Sequence, residues 1–303
     1  MADHVVGFAR TASTRDLRLT TALVRGALRS PFKRPRPDAP FPRTRLVLPS
    51  VRVDLARLAA YERVCGFAAG DDALPITYPH VLGFPAAMSL MSDGGFPLPL
   101  LGLVHTSVTL TRHTALSATD AYELSVHVAG LAPHRRGTEA AVVTVLRTAG
   151  GDVVGESTST YLARHRTDGP APGPARREHR ALPAVAEWCL GPDVGRRYAA
   201  VSGERNPIHL HPLTVRLFGF PRAIAHGMWT VARCLAAQGT PAAALVRARF
   251  GSPVLLPGTV VHAADTLGHF ELRDTSGMEV PPLERRREWG RVHLTGQVLP
   301  PPA

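Results

Sequence analysis

The stretch "YAAVSGERNPIHLHPLTVRLFGFP", Tyr198 to Pro221, has an echo earlier in the chain. "YERVCGF" runs from Tyr61 to Phe67, and "LGFP" follows at Leu82–Pro85. The tyrosines lie 137 residues apart and the prolines 136. Two matched motifs in the same order at nearly one offset predict an internal duplication. After each Gly-Phe-Pro comes a helix candidate, "AAMSLMS" and "RAIAHGMWTVARCLAAQ". Strand-like runs follow each. In the first half these are "LVHTSVTLTRH", "AYELSVHVAG", "AAVVTVLRT" and "STSTYLARH". Tyr122, Leu124, Val126 and Val128 alternate with polar or small residues, the period-two mark of a half-buried strand. In the second half "ALVRARFGSPVLLPGTVVHAAD", "HFELRDT" and "GRVHLTGQVL" play the same part. The expected class is α+β, with a main helix and a covering antiparallel sheet in each half.

Two Pro-rich breaks divide the chain. "SPFKRPRPDAPFPRTR" closes a first segment, because proline lacks a donor and blocks helix. "TDGPAPGPARREH", from Thr167 to His179, reads as a linker. The expected domains are an extended Pro/Arg-rich arm over 1–43, a first half over 44–166, a linker over 167–180 and a second half over 181–303. Within the arm, "DLRLTTALVRGALRS" reads as a frayed tail in preference to a short amphipathic helix.

Composition narrows the function classes. No apolar run approaches the roughly 18–20 residues of a membrane helix. The N-terminus lacks the phases of a secretory signal. Cys65, Cys189 and Cys234 are scattered, which fits neither a disulfide framework nor a zinc site, so a reducing cytoplasm is expected. The net charge is +11 and Lys33 is the sole lysine. Such a balance attracts phosphates on a nucleic acid, on coenzyme A or on an acidic carrier protein. The lack of interleaved basic and aromatic residues argues against a nucleic-acid groove.

The chemistry gathers in "SGERNPIH", Ser202–His209. The residue before a proline is pushed out of the helical region, so Asn206-Pro207 puts Glu204 and His209 on an irregular segment. A neutral histidine accepts a proton and a carboxylate orients or activates a water. Asn206 can hold either one by a hydrogen bond. Further on, His226-Gly227-Met228 precedes a helical run containing Trp229, Val231 and Leu235. Free N–H groups at such a helix start stabilise a developing oxyanion. The set suits addition or removal of water next to a carbonyl. His209, His211 and His226 also offer imidazoles to a metal. However, a His-x-His pair is common by chance among fourteen histidines, and no cysteine or carboxylate spacing completes a zinc set. No metal is expected. Met228 and Trp229 read as core or tunnel wall, and Arg205 and Arg222 as surface charges or phosphate contacts near the site mouth.

"YAAVSGERNPIHLHPLTVRLFGFPRAIAHGMWTVA" resembles the MaoC-like family of (R)-specific enoyl-CoA hydratases and 3-hydroxyacyl-thioester dehydratases. "LPITYPHVLGFP", "FPLPLLGLVHT" and "FGSPVLLPGT" extend the resemblance to the double hot-dog members, from Thr44 to the C-terminus. The resemblance implies two long helices, each wrapped by an antiparallel sheet. It implies Glu204 and His209 as the catalytic dyad and Gly227 as donor to the thioester carbonyl. Asn206, Ser202 and His226 become supporting residues. It implies (3R) stereochemistry, no metal or redox cofactor, and a thioester of coenzyme A or acyl carrier protein as substrate. A monomeric double hot dog or a homodimer follows. The family's Asp is here Glu204, one methylene longer. In the first half Phe67 takes the Glu204 position and no Asn-Pro-x-His follows, so that half is a degenerate copy. Asp71 and Asp72 are solvated loop acids. The rival readings are a non-catalytic acyl-thioester-binding module and a structural partner subunit of a dehydratase complex.

Overall fold

The computed structural model describes residues 9–12, 19–167, 182–210, 215–216, 219–275 and 290–302. His211 and the linker beyond Thr167 lie outside them. In chain order the first elements are β1 (Ala9–Thr11), α1 (Leu19–Arg29), β2 (Arg45–Arg52), α2 (Leu55–Cys65), α3 (Tyr78–Met91), β3 (Val104–Arg112), β4 (Ala121–His134), β5 (Gly137–Arg147) and β6 (Val153–Arg164). Then come β7 (Ala184–Leu190), α4 (Val194–Ser202), α5 (Pro207–Leu210), α6 (Gly227–Gln238), β8 (Ala244–Phe250), β9 (Gly258–Ala264), β10 (His269–Asp274) and β11 (Val292–Leu299).

These elements pack as two compact units. The first comprises Met1–Val53, Tyr78–Thr106 and Leu116–Gly173, the second Asp54–Thr77, Ser107–Ala115 and Pro174–Ala303. Segments 54–77 and 107–115, which precede the predicted linker, thus pack with the second unit.

In the first unit β2, β4, β5 and β6 are antiparallel neighbours, and β1 lies parallel to β2. Tyr122, Leu124, Val126 and Val128 of β4 are all buried, as their alternation predicts. α3 packs against β4, β5 and β6. It is buried on nearly every side, from Tyr78 to Met91. The helix begins before Gly83-Phe84-Pro85 and carries Pro85 inside it, whereas the sequence reading starts it afterwards. An interior proline costs a hydrogen bond, and burial of an apolar helix outweighs that loss. α1 also differs from expectation. Instead of a frayed tail, residues 19–29 form a helix that packs on α3. Ser30 fixes its end, donating to the Gly26 carbonyl at 2.8 Å and accepting the Leu101 N–H at 2.9 Å.

In the second unit the strand order is β3, β8, β11, β10, β9, β7, all antiparallel. α6 packs on β10 and on α2, and α2 packs on α4. Arg112 is buried and donates to the carbonyls of Leu74, Ala242 and Pro241, so among the described residues carbonyls and not a carboxylate satisfy its donors. The duplication is visible in α2 and α4. Each ends at a left-handed glycine, Gly66 at φ 85° and Gly203 at φ 83°, a conformation that favours glycine. The Gly-Phe-Pro match does not share this equivalence. Gly83–Pro85 is helical, whereas Gly219–Pro221 lies in a turn ahead of α6.

Candidate active site

The left-handed turn at Gly203 ends α4 and lets the chain reverse, delivering Glu204 at once. The Ser202 hydroxyl, buried, accepts the Glu204 N–H at 3.1 Å and fixes that residue's backbone. Asn206 does not hold the dyad side chains directly. Its Oδ1 accepts the Ile208 N–H at 3.3 Å and its carbonyl accepts the His209 N–H at 3.0 Å, which starts the single turn of α5. Pro207 occupies the first helical position, where its missing N–H costs nothing. Asn206 and Pro207 together therefore set the direction in which His209 leaves the chain.

His209 Nε2 lies 4.0 Å from Glu204 Oε1. The His209 Nδ1–H donates to the Ile224 carbonyl at 2.8 Å, which leaves Nε2 as the basic nitrogen facing the carboxylate. One oxygen placed 2.8 Å from both groups would see them at an angle of about 90°, within the range a hydroxyl or water accommodates across a 4.0 Å gap. Both groups are perturbed by burial. Desolvation pushes the Glu204 carboxyl up to about 7 and the His209 imidazole down to about 4, the Ile224 hydrogen bond opposing the latter. The His209 side chain is 7% exposed and that of Glu204 25%, so the site is reached from the carboxylate side.

His226 ties the two segments together. Its ring stacks on His209 with centroids 3.7 Å apart. Its Nε2–H donates to the Glu204 carbonyl at 2.9 Å. Tyr198 flanks its other surroundings, 4.9 Å between centroids. His226 is wholly buried, and its Nδ1 has no hydrogen-bond partner among the described residues. Burial and the neighbouring His209 hold its pKa well below the ordinary value. His226 is also the N-cap of α6, in extended conformation, and makes no side-chain cap bond. The first intrahelical bond runs from the Thr230 N–H to the His226 carbonyl. The Gly227 N–H, one residue from the stacked imidazole, is thus a first-turn donor without an intrahelical acceptor.

Glu204, His209 and His226 are close enough to be considered as metal ligands, with ligand atoms within 4.8 Å of one another. The stacking argues against it. Imidazole lone pairs lie in the ring planes, and two rings face to face at 27° send them side by side. A zinc ion about 2.1 Å from each nitrogen would have to lie in both planes at once.

The remaining expected residues fall as follows. Met228 and Trp229 are buried, and the Trp229 Nε1–H donates to the Val64 carbonyl at 3.0 Å. Arg205 and Arg222 are exposed, and Arg222 donates to the Pro257 carbonyl. At the position matching Glu204, Phe67 stacks on Tyr61 at 6.4 Å, and Asp71 and Asp72 are exposed. Ile224 and Tyr198 were not singled out for the site by sequence reasoning. Ile224 acts through its backbone carbonyl, which no side-chain pattern reveals, and Tyr198 served only as a marker of the repeat.

Residues 173–283 match the MaoC like domain. The chain is 37% identical over 243 residues to 3-hydroxyacyl-thioester dehydratase X of Mycobacterium tuberculosis, covering 78% of this chain and 86% of that protein. A crystal structure of HtdX from M. tuberculosis is similar at a TM-score of 0.69 and 34% identity, over 84% of this chain and 98% of that one. A second M. tuberculosis protein, described as having a double hot-dog fold, is similar at a TM-score of 0.51 and 13% identity, over 83% and 94%. The α+β double hot-dog fold is therefore that of this chain.

Proposed function

The chain belongs to the MaoC-like dehydratase family, and on that footing we propose that it is a 3-hydroxyacyl-thioester dehydratase with Glu204 and His209 as its acid–base pair. It is a hydro-lyase of fatty-acid metabolism that removes water from a (3R)-hydroxyacyl thioester, or adds it to the trans-2-enoyl thioester. The observation that carries the site assignment is the dyad itself: a basic Nε2 with its tautomer fixed by Ile224, 4.0 Å from a carboxyl raised to about 7. In dehydration His209 Nε2 takes the proton from the α-carbon. The electron pair forms the double bond and the C–O bond at the β-carbon breaks. Glu204, protonated, gives its proton to the departing hydroxyl, and water leaves. Hydration is the reverse. The Gly227 N–H receives the charge that gathers on the thioester oxygen. The first half supplies the fold as a degenerate copy, and the chain acts in the cytoplasm on a thioester of coenzyme A or acyl carrier protein, as a monomer or homodimer.

The test is hydration of crotonyl-CoA and longer trans-2-enoyl-CoA by the purified chain, followed by loss of the conjugated enoyl absorbance. No turnover on any chain length, on coenzyme A or on the carrier protein, would leave the binding-module reading in its place. The pH profile is a sharper check. Both directions need the dyad with one proton. Above about pH 7 Glu204 loses that proton, and below about pH 4 His209 gains a second. The kcat/KM should therefore form a bell with limbs near those values, in hydration and dehydration alike. A flat profile between pH 5 and 9 would contradict the assignment.

His226 supplies a further prediction as a positioning residue. His226→Phe keeps the stacked ring but loses the hydrogen bond to the Glu204 carbonyl. The expected loss is about tenfold in kcat, the worth of one hydrogen bond, with KM unchanged. His226→Gln keeps a donor and should recover part of that loss. Equal losses in both variants, tracking a fall in Tm, would reduce His226 to a packing residue.

A further inference from the structure

A cavity of about 330 Å³ lies in the second unit, lined by residues of α2, β7, α4 and α6 and by the turn after β7. None of the residues placed in the dyad site lines it. Its volume is at the lower end of the roughly 300–1,000 Å³ that small-ligand pockets occupy. Two guanidinium groups line it, Arg197 and Arg233, against one carboxylate, Glu187. Arg233 is held from two sides. Its guanidinium lies over the Trp188 ring, 4.6 Å from the centroid, and Trp188 is backed in turn by the buried ring of His262 at 5.2 Å. On another side it packs flush against Gly66, where any Cβ would collide with Nη1. Trp229 is likewise fixed by its bond to Val64.

A guanidinium so placed normally spends its five donors on carboxylates or carbonyls. Arg233 makes no hydrogen bond or ion pair with any described residue, although it is half-buried. Among the described residues, the Arg197 side chain has only a loose, exposed pair with Asp193 at 4.0 Å. A cation already ordered, with no acceptor among the described residues, loses little freedom when an anion arrives. Leu190, Val64 and the indole of Trp229 provide an apolar wall beside it.

We propose that this cavity is a second binding site, separate from the dyad, for a carboxylate or phosphate carried on a small apolar body. Arg233 is its anion-binding residue and Arg197 assists. Arg233 stands six residues after Gly227 on α6, about 9 Å along the helix axis, so a ligand here touches the helix whose first turn faces the thioester.

The experiment is calorimetric titration of the full chain with phenyl phosphate and benzoate, with inorganic phosphate as the anion alone and phenol as the body alone. One saturable site is expected for phenyl phosphate, at least tenfold tighter than for either part. Arg233→Met keeps the aliphatic stem over Trp188 and should weaken binding tenfold or more, and Arg197→Met a few-fold. Glu204→Gln should bind as the wild type does. Equal affinity for inorganic phosphate would mean an adventitious ion only, and equal affinity for phenol a merely apolar hollow. Undiminished binding by both arginine variants, or loss of binding in Glu204→Gln, would place the probe elsewhere. Any of these four results overturns the proposal.

Discussion

Glu204→Gln is expected to lower the turnover of trans-2-enoyl-thioester hydration by about 10²–10⁴-fold, the loss that follows removal of a general acid–base group. The amide keeps the size of the carboxyl and its ability to contact a shared oxygen, so substrate should still bind and KM should change little. What disappears is a group able to give up and take back a proton. The backbone cannot be blamed for the loss, because the contacts that place residue 204 belong to the main chain: its N–H on Ser202 Oγ and its carbonyl under the His226 Nε2–H. The variant should also lose the limb of the pH profile near 7, which belongs to this carboxyl. Full turnover in Glu204→Gln would refute the dyad assignment whatever the fold.

Glu204→Asp separates chemistry from reach. Restoring the residue type of the family motif shortens the arm by one methylene. In this chain the glutamate already comes within 4.0 Å of Nε2, so the longer arm is accommodated by the backbone as it stands. Activity equal to or above that of the wild type is expected. An inactive wild type with an active Glu204→Asp would make the natural protein a binding module on a hydratase scaffold.

The approach of Glu204 to His209 was legible in the sequence because it is written in local constraints. Asn206 and Pro207 force a turn at a fixed distance from Glu204 and His209, and local geometry survives whatever the rest of the chain does. The repeat was legible through Tyr61 and Tyr198, since each sits five residues before a helix-ending glycine that must adopt positive φ. It was misread at Gly-Phe-Pro, where a shared tripeptide occupies a helix in one half and a turn in the other. β2 and β7 escaped notice for physical reasons. Pro49 interrupts the donor pattern of β2, and β7 at a sheet edge leaves Ala184, Val185, Glu187 and Cys189 exposed, so no clean alternation remains. α1 gains its order from packing on α3, a contact between segments about sixty residues apart. The roles of Ile224 and Arg233 are equally non-local. One acts through a carbonyl, and the other through an indole and a glycine far away in the chain.

Gly227→Pro tests the oxyanion donor without dismantling the helix that carries it. Gly227 is the first residue of α6, and proline is favoured at that position because the N–H is not needed by the helix. His226 before it is already extended at ψ 137°, the conformation a following proline demands. Proline also adds a Cβ, which would meet the Phe250 ring at 2.9 Å and force a small shift. Gly227→Ala adds the same Cβ and keeps the N–H. The ratio of the two variants therefore isolates the hydrogen bond from the crowding. Gly227→Ala should cost little beyond the displacement of Phe250, whereas Gly227→Pro should lose a further 10²–10³-fold or so in kcat, as removal of one oxyanion donor does elsewhere. The loss should fall on kcat more than on KM, because the donor matters most when charge reaches the thioester oxygen in the transition state. Far-ultraviolet circular dichroism would verify that α6 persists in both. If alanine and proline are equally active, the thioester oxygen is stabilised by some group other than the Gly227 N–H.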